Sequence, residues 1–109
     1  MIVMTNAALL DLNQMRASAR TVTGLLRALA NEDRLLLLCQ LCHGERSVGE
    51  LEAALDIRQP SLSQQLGVLR SEGLVTTRRE GKRIHYSITD DKVLAVLHTL
   101  HGLYCEPAK

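Results

Sequence analysis

Leu12, Met15, Ala19, Val22, Leu26 and Leu29 recur at alternating steps of three and four, the spacing of a coiled-coil seam. The pattern predicts a helix from about Ala7 to Ala30 whose apolar edge packs on another helix, of this chain or of a second copy. Asn31 then offers an N-cap, with Glu32 and Asp33 in the first turn, where the helix dipole favours negative charge. The second helix, Asp33 to about Cys42, carries Leu35, Leu36, Leu38, Cys39 and Leu41 and reads as nearly all buried, with His43 and Gly44 closing it. Ser47 and Glu50 have the spacing of a capping box. The helix they open turns Leu51, Ala54 and Leu55 inward.

A short turn through Asp56, Ile57 and Arg58 leads into a helix starting near Gln59, with Pro60 in its first turn, where a missing N–H is harmless. Leu62, Leu66 and Leu69 face the core, and Gly73 ends the helix. From there the period shortens to that of strands. Leu74 to Arg79 and Arg83 to Ile88 are joined by Glu80, Gly81 and Lys82, with Ile84, Tyr86 and Ile88 on one face. A last helix follows Thr89, led by Asp90 and Asp91, with a stripe of Val93, Leu97, Leu100 and Tyr104 before Pro107 ends regular structure. The fold class is mainly α with a small β-hairpin: one domain, residues 1–109, in which Ser47 to Ile88 form a winged helix-turn-helix.

Composition narrows this only a little. Hydrophobic residues make up 46 % and charged ones 23 % of the chain, as in ordinary globular domains. With no Phe or Trp, the core must be built from Leu, Val, Ile, Ala and Met. The longest apolar run, Leu35 to Cys39, is too short to span a membrane, and the N-terminal residues lack the basic start and apolar block of a signal peptide. A cytoplasmic protein with no membrane partner is expected. In that reducing setting the three cysteines are small hydrophobes or reactive thiols rather than a disulfide frame.

Charge changes the picture more. The net charge is only +1, yet Arg58, Arg70, Arg78, Arg79, Lys82 and Arg83 face just Glu72 and Glu80 between residues 58 and 83. That stretch is net +4 and the remainder net −3. A positive region on an acidic body suits phosphate binding. A helix fits the major groove of double-stranded DNA if its outer face carries hydrogen-bonding side chains. Gln59, Ser61, Ser63, Gln64 and Gln65 supply them, opposite the leucine face. Arg78, Arg79, Lys82 and Arg83 on the hairpin would hold the flanking backbone or minor groove, positioning rather than specifying. The competing reading is a winged helix used only for protein contacts.

The motifs Ser47-Val48-Gly49-Glu50-Leu51, Ser61-Leu62-Ser63-Gln64-Gln65-Leu66, Leu69-Arg70-Ser71-Glu72-Gly73-Leu74-Val75 and Arg78 to Ile88 resemble the ArsR/SmtB family of bacterial repressors. Asn31 to Leu35 resembles that family's second-helix opening, while Gln65 stands where the family commonly has His. The resemblance implies a homodimer paired through its first and last helices, bound to an inverted-repeat operator and released by an inducer. It implies no enzyme, catalytic residue or cofactor.

Family members differ in how they sense. The arsenic-type cysteine pair is missing from Val48 to Leu55, and Lys92 sits where the zinc-type site on the last helix needs a ligand. Cys39 and Cys105, with their neighbours, resemble instead the persulfide-sensing BigR/SqrR/HlyU subgroup. That resemblance implies that the two cysteines become bridged by a disulfide or a chain of sulfurs, supplied by a persulfide or polysulfide, weakening operator binding. Two alternatives stay open. His98 and His101 share a helix face at i, i+3 and offer two metal ligands for a metal-responsive repressor. Cys39 and Cys42 have the C-x-x-C spacing of a thiol redox enzyme, but at the C-terminal end of their helix, where the dipole opposes thiolate formation. Cys42 therefore reads as a packing residue or as a resolving or competing thiol.

Overall fold

The computed structural model describes residues 11–105. Residues 7–10 of the expected first helix, and Pro107 after the last, lie outside the described residues. In chain order the elements are α1 (Leu12–Leu29), α2 (Glu32–Leu41), β1 (Arg46–Ser47), α3 (Val48–Leu55), α4 (Ser61–Ser71), β2 (Val75–Glu80), β3 (Arg83–Ile88) and α5 (Asp91–Tyr104).

Side chains that bond the free N–H groups of a first turn set most of the helix starts. The Asp11 carboxylate accepts from the Gln14 N–H at 3.0 Å, and the Asn31 amide oxygen accepts from the Arg34 N–H at 3.0 Å. At α3 the capping box is complete. Ser47 Oγ accepts from the Glu50 N–H at 3.1 Å, while Glu50 Oε1 accepts from the Ser47 N–H at 2.8 Å. Asp90 caps α5 by accepting from the Lys92 N–H at 2.7 Å.

The core gathers Leu29 of α1, Leu37, Leu38 and Leu41 of α2, Leu51, Ile57, Leu62, Leu66, Leu69, Val75, Val93 and Leu97. Here two expectations need correction. Leu36 is exposed and Leu37 is buried instead. Five consecutive apolar residues carry no phase, so it is packing against α3 and α4 that selects Leu37, Leu38 and Leu41. Ala54 is also exposed, because Leu51 and the half-buried Leu55, one full turn apart, define the inner face of α3.

Further differences lie at element ends. Pro60 is the N-cap residue of α4 rather than part of its first turn, and has no side chain with which to cap. Gln59 does that work: its Oε1 accepts from Ser63 Oγ at 2.6 Å and from the Ser63 N–H at 3.3 Å. The hairpin gains a third strand. β1 pairs antiparallel with β3, Arg46 opposite Tyr86 and Ser47 opposite His85, giving the sheet order β1-β3-β2. A strand of two residues has no periodicity to read. Between β2 and β3, Gly81 takes φ 63°, a conformation that favours glycine, and so lets Glu80 pair with Arg83 across the tip.

The seam of α1 is left bare. Leu12, Met15, Val22 and Leu26 are between 40 and 57 % exposed, and only Leu29 reaches this chain's core. At the end of α5, Tyr104 is 82 % exposed, so the stripe read from Val93 to Tyr104 leaves the core after its first three members. No helix among the described residues is long and apolar enough to cross a membrane.

Candidate nucleic-acid interface and thiol cluster

The surface around α4 is built from the turn that precedes it. Asp56 ends α3 in the left-handed region at φ 54°, and the buried Ile57 anchors the turn beneath it. With Leu62, Leu66 and Leu69 locked into the core, the opposite face of α4 points to solvent. Gln59, Ser63 and Gln64 lie on that exposed side, while Ser61 is half-buried. Gln59 and Ser63 are bonded to each other, which holds both at the helix entrance.

Gln65 is placed differently. It is half-buried, and its amide oxygen accepts from Arg34 Nη1 at 2.9 Å. The same guanidinium donates from Nε to the Ala28 carbonyl at 2.8 Å and from Nη2 to the Arg27 carbonyl at 3.2 Å. Arg34 therefore ties the last turn of α1, the start of α2 and the middle of α4 together. Nothing in the spacing of Arg34 and Gln65 along the chain could have announced the contact.

The basic residues of the hairpin divide into two sets. Arg78 forms a two-pronged pair with Glu45, Nε at 3.0 Å and Nη2 at 2.7 Å, with Glu80 a further 3.8 Å contact. The guanidinium holds the Glu45 carboxyl below the usual carboxylate range, and Arg78 is correspondingly harder to deprotonate. Arg78 thus braces the sheet against the segment that precedes β1. Arg79, Lys82 and Arg83 are exposed and make no ion pair among the described residues. Arg79 Nε donates to the Gly81 carbonyl at 3.3 Å, which orients it along the tip. Beneath the hairpin, His85 Nε2 lies 3.4 Å from Glu80 Oε1 but finds no hydrogen bond of acceptable geometry.

The second cluster lies where the end of α2 meets α5. Cys39 and Cys42 are half-buried free thiols, and Cys105 is a free, exposed thiol whose N–H donates to the His101 carbonyl at 2.8 Å. A cavity of about 90 Å³ is lined by Cys39, Cys42, His43, Leu97, His98 and His101. Burial pushes both the Cys39 and Cys42 thiols up. Charge on Cys105 would raise Cys39 further, and charge on Cys39 would raise Cys42. Both thiols are therefore protonated at neutral pH and need a base to react quickly.

The structure brings His98 and His101 to the same cavity wall as two of the cysteines. Even so, no group of three or more His, Cys, Asp or Glu among the described residues is placed to hold a metal ion. Cys42 and His43 were legible as neighbours of Cys39 in sequence. Their shared cavity with α5 was not.

Comparison with known proteins agrees with this geometry. Residues 31–77 match the model of a family described as bacterial regulatory protein, arsR family. The chain is 52 % identical over 98 residues to the biofilm growth-associated repressor of Agrobacterium fabrum, covering 90 % of this chain and 84 % of that protein. Among solved structures, the transcriptional repressor BigR from Xylella fastidiosa superposes with a TM-score of 0.81 at 45 % identity, covering 87 % of this chain and 97 % of that one. Reduced HlyU from Vibrio cholerae superposes with a TM-score of 0.82 at 43 % identity, covering 87 % of this chain and all (100 %) of the other.

Proposed function

This chain belongs to the arsR family of bacterial regulatory proteins and has its winged helix-turn-helix fold, and from that premise we propose that it is a homodimeric repressor of transcription whose operator release is triggered at Cys39 and Cys105. Each half of an inverted-repeat operator receives one α4 in the major groove, with Gln59, Ser63 and Gln64 toward base edges and Ser61 toward the backbone. Arg79, Lys82 and Arg83 hold flanking phosphates. Arg78 contributes by bracing the wing, and Gln65 chiefly by docking α4 on Arg34. The repressors of Agrobacterium and Xylella named above support the sign of the regulation.

The observation that carries the sensing half is the position of Cys39 at the α2–α5 junction, on the wall of a cavity shared with α5 and near enough to Cys105 for charge on that thiol to raise Cys39. That HlyU has a form described as reduced supports thiol chemistry in this group. A hydropersulfide or polysulfide bridges the two cysteines and ties α2 to the end of α5. A plain disulfide needs Cα atoms within roughly 7 Å, and each inserted sulfur lengthens the bridge by about 2 Å, so sulfur chains close a wider gap with less strain. Because α5 continues to the exposed Leu103 and Tyr104, the tether shifts the helix that pairs the subunits. The two α4 helices then leave the spacing of roughly 34 Å that one DNA turn requires. A hundredfold loss of operator affinity needs a bias of only about 2.7 kcal/mol.

The test is operator binding by fluorescence anisotropy for reduced and persulfide-treated protein, with mass analysis of the same samples. Reduced wild type should bind with a steep salt dependence and lose affinity on treatment. Cys39→Ser and Cys105→Ser should bind equally well before and after. Wild-type release in both variants would remove this reading.

A further inference from the structure

We propose that Cys42 is a resolving thiol: it attacks a sulfur adduct on Cys39 and forms a disulfide confined to α2, in competition with the bridge to Cys105. This rests on the reading of Cys39 as the thiol that takes sulfur from a hydropersulfide. Three observations carry it. Cys42 and Cys39 line one small cavity, whereas Cys105 is not among its lining residues and is open to solvent.

The end of α2 is also tightened. The Cys42 N–H donates to the Cys39 carbonyl at 3.3 Å as well as to Leu38 at 3.0 Å. The His43 and Gly44 N–H groups follow with bonds to Gln40 at 3.2 Å and Leu41 at 3.1 Å. Such i to i+3 bonding draws residues three apart toward one face, in keeping with Cys39 and Cys42 both lining the cavity. Finally, three imidazoles, of His43, His98 and His101, share the cavity wall. They are bases and acids at hand for thiols that burial keeps protonated.

The chemistry balances. Cys39 attacks the outer sulfur of a hydropersulfide RSSH; the S–S bond breaks and RSH leaves, taking the Cys39 proton. Cys39 then carries an S–SH group. Cys42 attacks the Cys39 Sγ, the bond to the outer sulfur breaks, and that sulfur departs with the Cys42 proton as hydrogen sulfide. Two protein thiols are oxidised to one disulfide, and the sulfane sulfur of the persulfide is reduced to sulfide. Because this bridge does not reach α5, it leaves the subunit pairing and operator binding intact. Cys42 thereby raises the dose of persulfide at which the operator is released.

The experiment treats the full chain anaerobically with glutathione persulfide and alkylates the remaining open thiols. The tryptic peptide from Leu35 to Arg46, which holds both Cys39 and Cys42, is then read by mass spectrometry. In Cys105→Ser, both cysteines of that peptide should resist alkylation until reduced, sulfide should be released, and operator affinity should not change. In Cys42→Ser, and in Cys42→Ala as a second variant, the dose for half-release should fall about twofold or more. Cys39 modified in Cys105→Ser with Cys42 still open to alkylation, or an unchanged dose in both Cys42 variants, would overturn the proposal. If Cys39 takes no sulfur at all, this proposal and the reading beneath it fall together. If the Cys39–Cys42 disulfide forms but a Cys39–Cys105 bridge leaves the operator bound, the resolving step stands and only the release mechanism falls.

Discussion

Arg34 donates to three acceptors on two other helices, the carbonyls of Arg27 and Ala28 and the amide oxygen of Gln65. Hydrogen bonds from a charged donor contribute about 1.5–3 kcal/mol each at most, and part-buried acceptors left without a partner cost more than the bond was worth. Arg34→Ala should therefore lower the urea unfolding free energy by about 2 kcal/mol, and Gln65→Ala by about 1 kcal/mol. In a double-mutant cycle the two changes should couple rather than add. Strict additivity would show that the 2.9 Å contact does not hold α4 in place. Gln65 also marks a limit of reading side chains in order. Its place beside Gln64 gave it the look of a groove-facing residue, and only the approach of α2 turned its amide inward. Cys39 was legible as a thiol near the end of a helix; its cavity depended on α5, more than fifty residues later.

Among the elements, the wing is the one whose sequence pattern understated its attachment. The hairpin of β2 and β3 followed from alternation and Gly81, but β1 and the Glu45–Arg78 pair join it to the segment ahead of α3. That pair gives the wing a pH dependence with a definite sign. The Glu45 carboxyl is held below its ordinary value by Arg78, and that of Glu50 by its bonds with Ser47. A carboxylate held low stabilises the folded state above the ordinary carboxylate range and loses that contribution as pH falls through the lowered value. Thermal unfolding of wild type should weaken on acidification in that window, and Glu45→Gln should flatten the slope. Both partners are substantially exposed, so the effect at neutral pH should be small. The same variant should raise amide hydrogen exchange in β2 and β3 before it affects α5; uniform exchange through the chain would speak against a local brace.

At the scale of the whole molecule, the chain is more extended than a compact domain of its length. Its radius of gyration is 16.5 Å, against about 13 Å for a compact chain of this length. Its α1, 18 residues long and so about 27 Å in length, lays a row of exposed apolar side chains outside the core. A second copy pairing along α1 and α5 would cover them. Leu26→Asp should then shift sedimentation from dimer toward monomer and cut operator affinity at least tenfold, while α3 and α4 remain folded by circular dichroism. A wild type that sediments as a monomer at micromolar concentration would rule the pairing out.

What the chain determined by itself is local. Periods of three and four, Asn31 and the Ser47–Glu50 box, Gly81, and the basic cluster after Arg58 place the helices, the hairpin and the charge without help from distant contacts. These features act within a turn or two of backbone, where neighbours in sequence are neighbours in space. Tertiary structure decided what depended on elements far apart in the chain. It chose Leu37 over Leu36 for the core, spent Arg78 on Glu45 and Gln65 on Arg34, and set Cys39, Cys42 and the histidines of α5 around one cavity. Each of those outcomes needs a packed interface to bring its partners together, and no periodicity along one element encodes which face of another it will meet.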